Sequence, residues 1–474
     1  MDLEKNIINK FLSNPSFSLF FKQIKRFAGV ILTGLLSGAL LLWVVVKYDT
    51  WFGNPNEEPY LGLTEPGRVL LTFGDENEMS RNVSWAGNSM LQDAYLELID
   101  QNEKDTTVIS AEGEVFKSRS GEMAYYHAKL RNLKEGTSYQ YRAVTAGTPS
   151  AWYNFKTPIK DRKNYSFLYI GDVQDSIGGS ANCMLREVWE RNADSEFLLC
   201  TGDLIERPMD SYWQEMSNTL DSIGQTLPIL NAAGNHDYLK APIYQLEKRF
   251  SLVFSYFLDS KVDDNQVYTL KYKDIQFFVL DGTREFLFLP KQRTWLQMQL
   301  MNSHAKWKIV VIHHPLYSVR GESKNIIQRW FFNDLLEEYH VDLVLQGHEH
   351  AYARTTRLDQ SGKQQTPVYL ISHCSNKNYL IQFDDNFQKF GSGSKYYQKI
   401  TVHGDSLGIS ARDADTHALY DSLLLVNKNG ITQVIDKGLK IKESVEFRGE
   451  AKSKKEKEFI QKIKDYKKNH PNRF

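Results

Sequence analysis

Cysteine is the scarcest chemistry in this 474-residue chain, present only as Cys183, Cys200 and Cys374. The number is odd and the spacing wide. A disulfide framework is excluded, and no Cys pair has zinc-type spacing. Cys200 closes an apolar run and reads as a buried free thiol. Net charge is lacking as well: basic and acidic residues both number 58. Nothing pulls the chain as a whole toward nucleic acid, and no nucleic-acid partner is expected. Internal repeats are absent. Aromatic residues, at 13%, are plentiful instead and fit densely packed, strand-rich domains. The length calls for two globular domains rather than one core.

The N-terminal region is basic and then apolar. Residues 1–26 carry Lys5, Lys10, Lys22, Lys25 and Arg26, and residues 27–46 carry no charge. About 20 such residues are enough to cross a bilayer. A buried soluble helix or a cleaved signal peptide shares this pattern, but residues 43–48 offer no small-residue cleavage site. A single retained anchor is expected, which makes the membrane a partner. The basic cluster precedes the span. The N-terminus is therefore assigned to the cytoplasm and the bulk of the chain to the periplasmic or extracellular side.

Residues 47–65 read as a linker, with Gly53, Pro55, Pro59 and Gly62. Between 66 and 158 short segments alternate as strands do, near 68–73, 82–86, 94–99, 108–111, 124–130, 138–145 and 152–156. So many short strands predict an all-β antiparallel sandwich. The stretch 133–139 resembles the corner of a fibronectin type III domain, with Tyr139 at the position of its aromatic. From 164 to 436 continuous apolar runs alternate with helical patterns, the signature of βαβ units and an α/β domain. Residues 325–339 read as an amphipathic helix within it. Residues 368–373 and 397–402 continue that core, and 408–411, 421–426 and 432–435 close it as a ribbon. Residues 437–474 form a basic tail, read as a solvated helix or disorder, with contact to anionic lipid as its functional alternative.

Five apolar runs, 167–170, 196–200, 227–231, 308–312 and 342–345, each end in a polar cluster. The clusters are Gly171-Asp172-Val173-Gln174, Gly202-Asp203-Leu204-Ile205, Gly234-Asn235-His236-Asp237, His313-His314-Pro315 and Gly347-His348-Glu349-His350. Parallel strands bring their carboxyl ends to one edge, where ligands bind. The glycines are expected to let the backbone turn sharply there. Any one cluster is an ordinary turn; all five together assemble carboxylates, an amide oxygen and imidazoles. Such mixed donors suit zinc, iron or manganese, and two ions sharing a carboxylate form a hydrolytic clamp.

The order of these five motifs resembles that of the calcineurin-like metallophosphoesterases. Within them it is similar to the purple acid phosphatase branch, which also carries a fibronectin-like domain ahead of the catalytic one. The resemblance covers about residues 66 to 402 and implies a β-sandwich flanked by helices in βαβα layers. It implies that Asp172 and His350 hold a first metal, Asp203 bridges, and Asn235, His313 and His348 hold a second. His236 would face the phosphate or protonate the leaving group, while water or hydroxide held between the metals attacks phosphorus. No nucleophilic Ser or Cys motif supports a covalent intermediate.

Two departures from the branch stand out. It places a Tyr three residues after the bridging Asp, the source of its colour, where this chain has Glu206. Either Glu206 is a carboxylate ligand or the position is empty; both imply no purple colour and weaken the case for ferric iron. The branch's substrate-gripping His pair is also missing, which leaves Arg320 or Lys324 to hold phosphate, or a solvated loop. The expectation is a membrane-anchored phosphomonoesterase with a phosphate-ester substrate. A phosphodiesterase or a nucleotide or phospholipid phosphohydrolase is the alternative. A surface binding module with a relict metal site is the reading from another class.

Overall fold

The computed structural model describes residues 15–60, 62–75, 77–256, 262, 266–284, 286–321, 325–377 and 379–474, without the side chains of 15–26. Two compact units result, one of residues 1–55 with 240–243, the other of 56–239 with 244–474. In the first, one helix runs Pro15–Phe52, past the predicted start of the linker. Its segment Phe27–Phe52 has a mean hydropathy of 2.3 and is long and apolar enough to be a membrane span or a signal sequence.

The second unit holds both predicted domains. Its N-terminal part pairs Ala94–Asp100 with Thr106–Ser110 and Ser138–Thr145. This small sheet faces the strands Gly67–Phe73, Arg81–Ala86 and Gly121–Leu130 across a core of Trp85, Tyr126, Leu96 and Tyr141. Trp85 stacks on Tyr126 at 5.7 Å and gives its indole N–H to Thr145 Oγ1 at 3.0 Å. The Tyr139 hydroxyl accepts the Lys134 backbone N–H at 2.8 Å, which fastens the predicted corner. A further strand, Glu112–Ser118, escaped the sequence reading because it lies almost wholly exposed and carries no apolar alternation.

The sandwich shares a sheet with the α/β domain. Gly67–Phe73 lies parallel to Ile229–Asn231, with Thr72 opposite Ile229. This single junction fuses its sheet with that of the α/β domain into one sheet of eleven strands. Phe73 crosses the seam and meets Phe197 and Tyr272 edge-on at 5.5 and 5.8 Å. Each such side chain contributes about 1.5–3 kcal/mol by burial. Buried ion pairs reinforce the junction. Arg249, with no exposed side-chain surface, pairs with Glu57 at 3.0 Å, and Arg119 meets the same carboxylate at 2.8 Å.

The α/β domain divides the predicted runs between two facing sheets. Asn164–Ile170, Ser195–Cys200 and Ile229–Asn231 lie parallel in the large sheet. Trp307–Ile312 and Leu343–Gln346 lie parallel in a sheet of seven. There they are flanked by Gln364–Ile371 and by an unpredicted parallel strand, Ile275–Leu280. Side chains from both sheets interlock between them; Phe167 stacks on Phe197 at 4.5 Å, and Phe277 closes on both.

The basic tail holds a helix, one of the two expected forms, but it is not wholly solvated. Helix Lys454–Asn469, capped by Ser453, buries Phe459 and Ile463, and Tyr466 stacks on Phe383 at 4.5 Å. Its lysines stay outside while one apolar stripe docks.

Candidate active site

The exits of the five predicted strands converge. Within each sheet these five strands run parallel to their neighbours in the set, and the two sheets face each other with these ends on a common edge. Ligand atoms of Asp172, Asp203 and His313 lie within 4.8 Å of one another, and so do those of His313, His314 and His348. Asp172, Asp203, His313 and His350 are buried; Asn235, His236 and His348 are partly open.

The backbone bends hard to achieve this. Asp172, Gln174, Asp203, His348 and His350 all have positive φ, between 42° and 72°. Non-glycine residues rarely take that region, and such strain gathers at functional sites. Among the motif glycines Gly202 turns as expected, with φ at 92°. Gly234 and Gly347 let carboxylates come close: a Cβ on Gly234 would sit 2.0 Å from Asp203 Oδ1, and one on Gly347 2.2 Å from Asp172 Oδ2.

Three of these side chains, Asp172, Asp203 and His313, are oriented from behind. Asp172 accepts the His348 backbone N–H at 2.8 Å, and Asp203 accepts that of His236 at 2.8 Å. Gln174 Nε2 donates to Asp203 Oδ2 at 3.0 Å. His313 Nδ1 lies 2.8 Å from the Thr201 carbonyl. A carbonyl only accepts, so Nδ1 carries the proton and Nε2 is left for the site. That Nε2 faces Asn235 Oδ1 and Asp203 Oδ2, each at 3.1 Å, while His348 Nδ1 faces the same Asn235 oxygen at 2.8 Å. Nitrogen and oxygen atoms of ligand type thus meet at one point, where a proton or a metal ion can sit between them.

The electrostatics agree. Burial, with the Asp203 charge added, pushes Asp172 up to about 8. Burial alone would disfavour charged His313, but Asp203 and Asp172 outweigh it and hold its pKa up, at about 10. Protons on this cluster are ones that a bound metal would displace. Burial lowers His314 and His350 to about 3, so both stay neutral imidazoles with a free ring nitrogen, as ligands must. Carboxylates and imidazoles of this kind suit metal ions: Asp172 and Asp203 gather around His313, while His314 and His348 gather beside it, and His350 Nε2 lies 3.7 Å from Asp172 Oδ1.

Sequence reading missed several members. His314 was quoted in its motif but given no role, yet its ring lies 4.2 Å from His348. Gln174 holds Asp203. Tyr379 stacks on His350 at 4.4 Å, and the Arg320 guanidinium lies 4.4 Å from the Tyr379 ring. Arg320 is therefore near the site; Lys324 lies outside the described residues. Glu206 turns its carboxylate to Lys377, and its carbonyl accepts His236 Nδ1–H.

The comparisons agree with this geometry. Residues 165–352 match the calcineurin-like phosphoesterase model, and residues 66–157 match the purple acid phosphatase N-terminal domain. A probable purple acid phosphatase 20 of Arabidopsis thaliana is 26% identical over 50% of this chain and 57% of its own length. An Fe(3+)-Zn(2+) purple acid phosphatase 12 of the same plant is 24% identical over 63% of this chain and 66% of its own. The chain thus spans less than two thirds of either relative. A purple acid phosphatase structure from yellow lupin (Lupinus luteus) seeds superposes with a TM-score of 0.65 at 17% identity, covering 78% of this chain and 76% of the other, and shows the same fold. Residues 165–352 are thus similar to the calcineurin-like phosphoesterases, and residues 66–157, ahead of them, to the N-terminal domain of purple acid phosphatases.

Proposed function

We propose that this protein hydrolyses phosphate esters with two metal ions held by Asp172, Asp203, Asn235, His313, His348 and His350. The observation that carries the reading is the meeting of carboxylate, amide and imidazole atoms of ligand type from five strand exits. When bound, the metals supply Lewis acidity: they neutralise charge on phosphoryl oxygens and make water a better nucleophile. The chain's own residues do the rest. Gln174 and two backbone N–H groups fix the carboxylates. The Glu206 carbonyl fixes His236 through Nδ1, which leaves Nε2 to hold a proton and release it to the departing oxygen. A phosphomonoester is the substrate proposed, by likeness to the phosphatases named above.

The apolar helix segment Phe27–Phe52 is proposed as a single-pass anchor with the N-terminus in the cytoplasm and the phosphoesterase domain outside it. The deciding experiment uses the full chain in detergent, stripped of metal and then reloaded, against a generic monoester and a generic diester. Metal-dependent cleavage is expected, faster for the monoester. A preparation with two bound metals that cleaves neither, and binds no phosphate, would overturn the reading.

Colour gives a second test. Because the Glu206 carboxylate is engaged by Lys377 and no phenol follows Asp203 at that spacing, the loaded protein is expected to show no purple band. A visible charge-transfer band would point to a phenolate ligand from elsewhere, with Tyr379 the first to mutate.

A further inference from the structure

We propose that Lys377 is the side chain that grips the substrate's phosphoryl group, resting on Glu206 and Gln174 until phosphate draws it away. The proposal rests on the phosphoesterase reading above. Lys377 lies beyond strand Gln364–Ile371, which runs parallel to Leu343–Gln346. Its exit therefore reaches the same edge as His348 and His350.

Two bonds tie Lys377 to the site. Its Nζ pairs with the Glu206 carboxylate and donates to Gln174 Oε1 at 3.2 Å. Gln174 in turn donates to Asp203 Oδ2 at 3.0 Å, so a single amide links the ammonium to that carboxylate. Glu206 anchors two groups at once: its side chain holds Lys377, and its carbonyl holds His236. The cation and the imidazole thus stand on one rim. The charge on Lys377 is close enough to act on Asp172 and on His350.

A purely structural ion pair explains less. The Lys377 side chain is 38% exposed, and a pair so open to water contributes little to stability. An ammonium has three donors, and the partners named here use two. A phosphate dianion carries more charge than one carboxylate and draws the ammonium from Glu206 without breaking the Glu206 carbonyl's hold on His236.

The test uses the full chain, metal-loaded in detergent, with para-nitrophenyl phosphate as substrate and inorganic phosphate as competing ligand. K377M is expected to raise KM and the phosphate inhibition constant together by about tenfold or more, with a smaller loss in kcat and unchanged metal content. K377R should recover most of this. E206Q keeps the carbonyl that holds His236 and frees the ammonium, so its phosphate affinity should be at least that of the parent. Parent-like phosphate inhibition in K377M with both metals bound would overturn the proposal alone. So would an E206Q variant that loses as much phosphate affinity as K377M. A parent that neither turns over substrate nor binds phosphate overturns the phosphoesterase reading, and this proposal with it.

Discussion

Asp203→Asn is expected to release at least one metal ion per chain and to lower kcat/KM by on the order of a thousandfold or more. The size follows from what is lost. Transition-state charge stabilisation by a metal is worth several kcal/mol, and each 1.4 kcal/mol is a factor of ten. Asp203 is the residue whose two oxygens serve the whole cluster. Oδ1 accepts the His236 N–H at 2.8 Å, and Oδ2 accepts Gln174 and faces His313 Nε2 at 3.1 Å. The asparagine fills the same space but cannot offer two anionic oxygens.

Glu349→Gln is the matched control. Glu349 sits between His348 and His350 in sequence, yet its carboxylate faces Ser318 and the Arg320 backbone N–H, away from the cluster. That variant should keep its metals. Metal analysis beside turnover checks both. Full metal content with normal turnover in Asp203→Asn would remove the dinuclear assignment.

The site was legible because its donors sit where apolar runs stop. A continuous apolar run signals a strand buried on both faces, and its exit must be polar. Asp172, Asp203, Asn235, His313, His348 and His350 all follow that rule. What a run does not say is which sheet it joins. The five exits come from two facing sheets, and only the pairing of strands reveals it. The run Ile275–Leu280 obeys the same pattern, but its exit residue Asp281 accepts Tyr238 and the Thr283 N–H instead of entering the cluster.

Other features had no local signal. Lys377 lies beyond a strand that was read, but a lysine near Asn376 and Ser375 looks like a solvated loop until Glu206 is placed beside it. The fusion of the two domains rests on one residue pair, Thr72 with Ile229, which no periodicity encodes. The tail misled through composition. Its lysines dominate the count, while Phe459, Ile463 and Tyr466, spaced four and three apart, form the stripe that docks.

Arg354 presents another case, a residue close in sequence to the site whose contacts indicate architecture. It follows His350 by four residues and is buried, with 2% of its side chain exposed. Its Nε meets Asp421 at 2.7 Å and its Nη2 meets Asp436 at 2.7 Å, while Tyr352 gives its hydroxyl to the same Asp421 at 2.8 Å. Tyr352 and Arg354 belong to the seven-stranded sheet; Asp421 and Asp436 belong to the strands Leu419–Lys428 and Ile431–Asp436 of the large one. The guanidinium is a clamp between the sheets, beside the exit that delivers His348 and His350. Arg354→Met leaves two buried carboxylates without their cation and should cost about 3–5 kcal/mol of stability. The triple variant Arg354→Met, Asp421→Asn, Asp436→Asn should recover a large part, because the uncompensated charge is gone. Denaturant midpoints measure both. The clamp reading also requires that Arg354→Met, well below its melting temperature, keeps its metals and most of its turnover; a variant with parental stability but lost turnover would move Arg354 into the site.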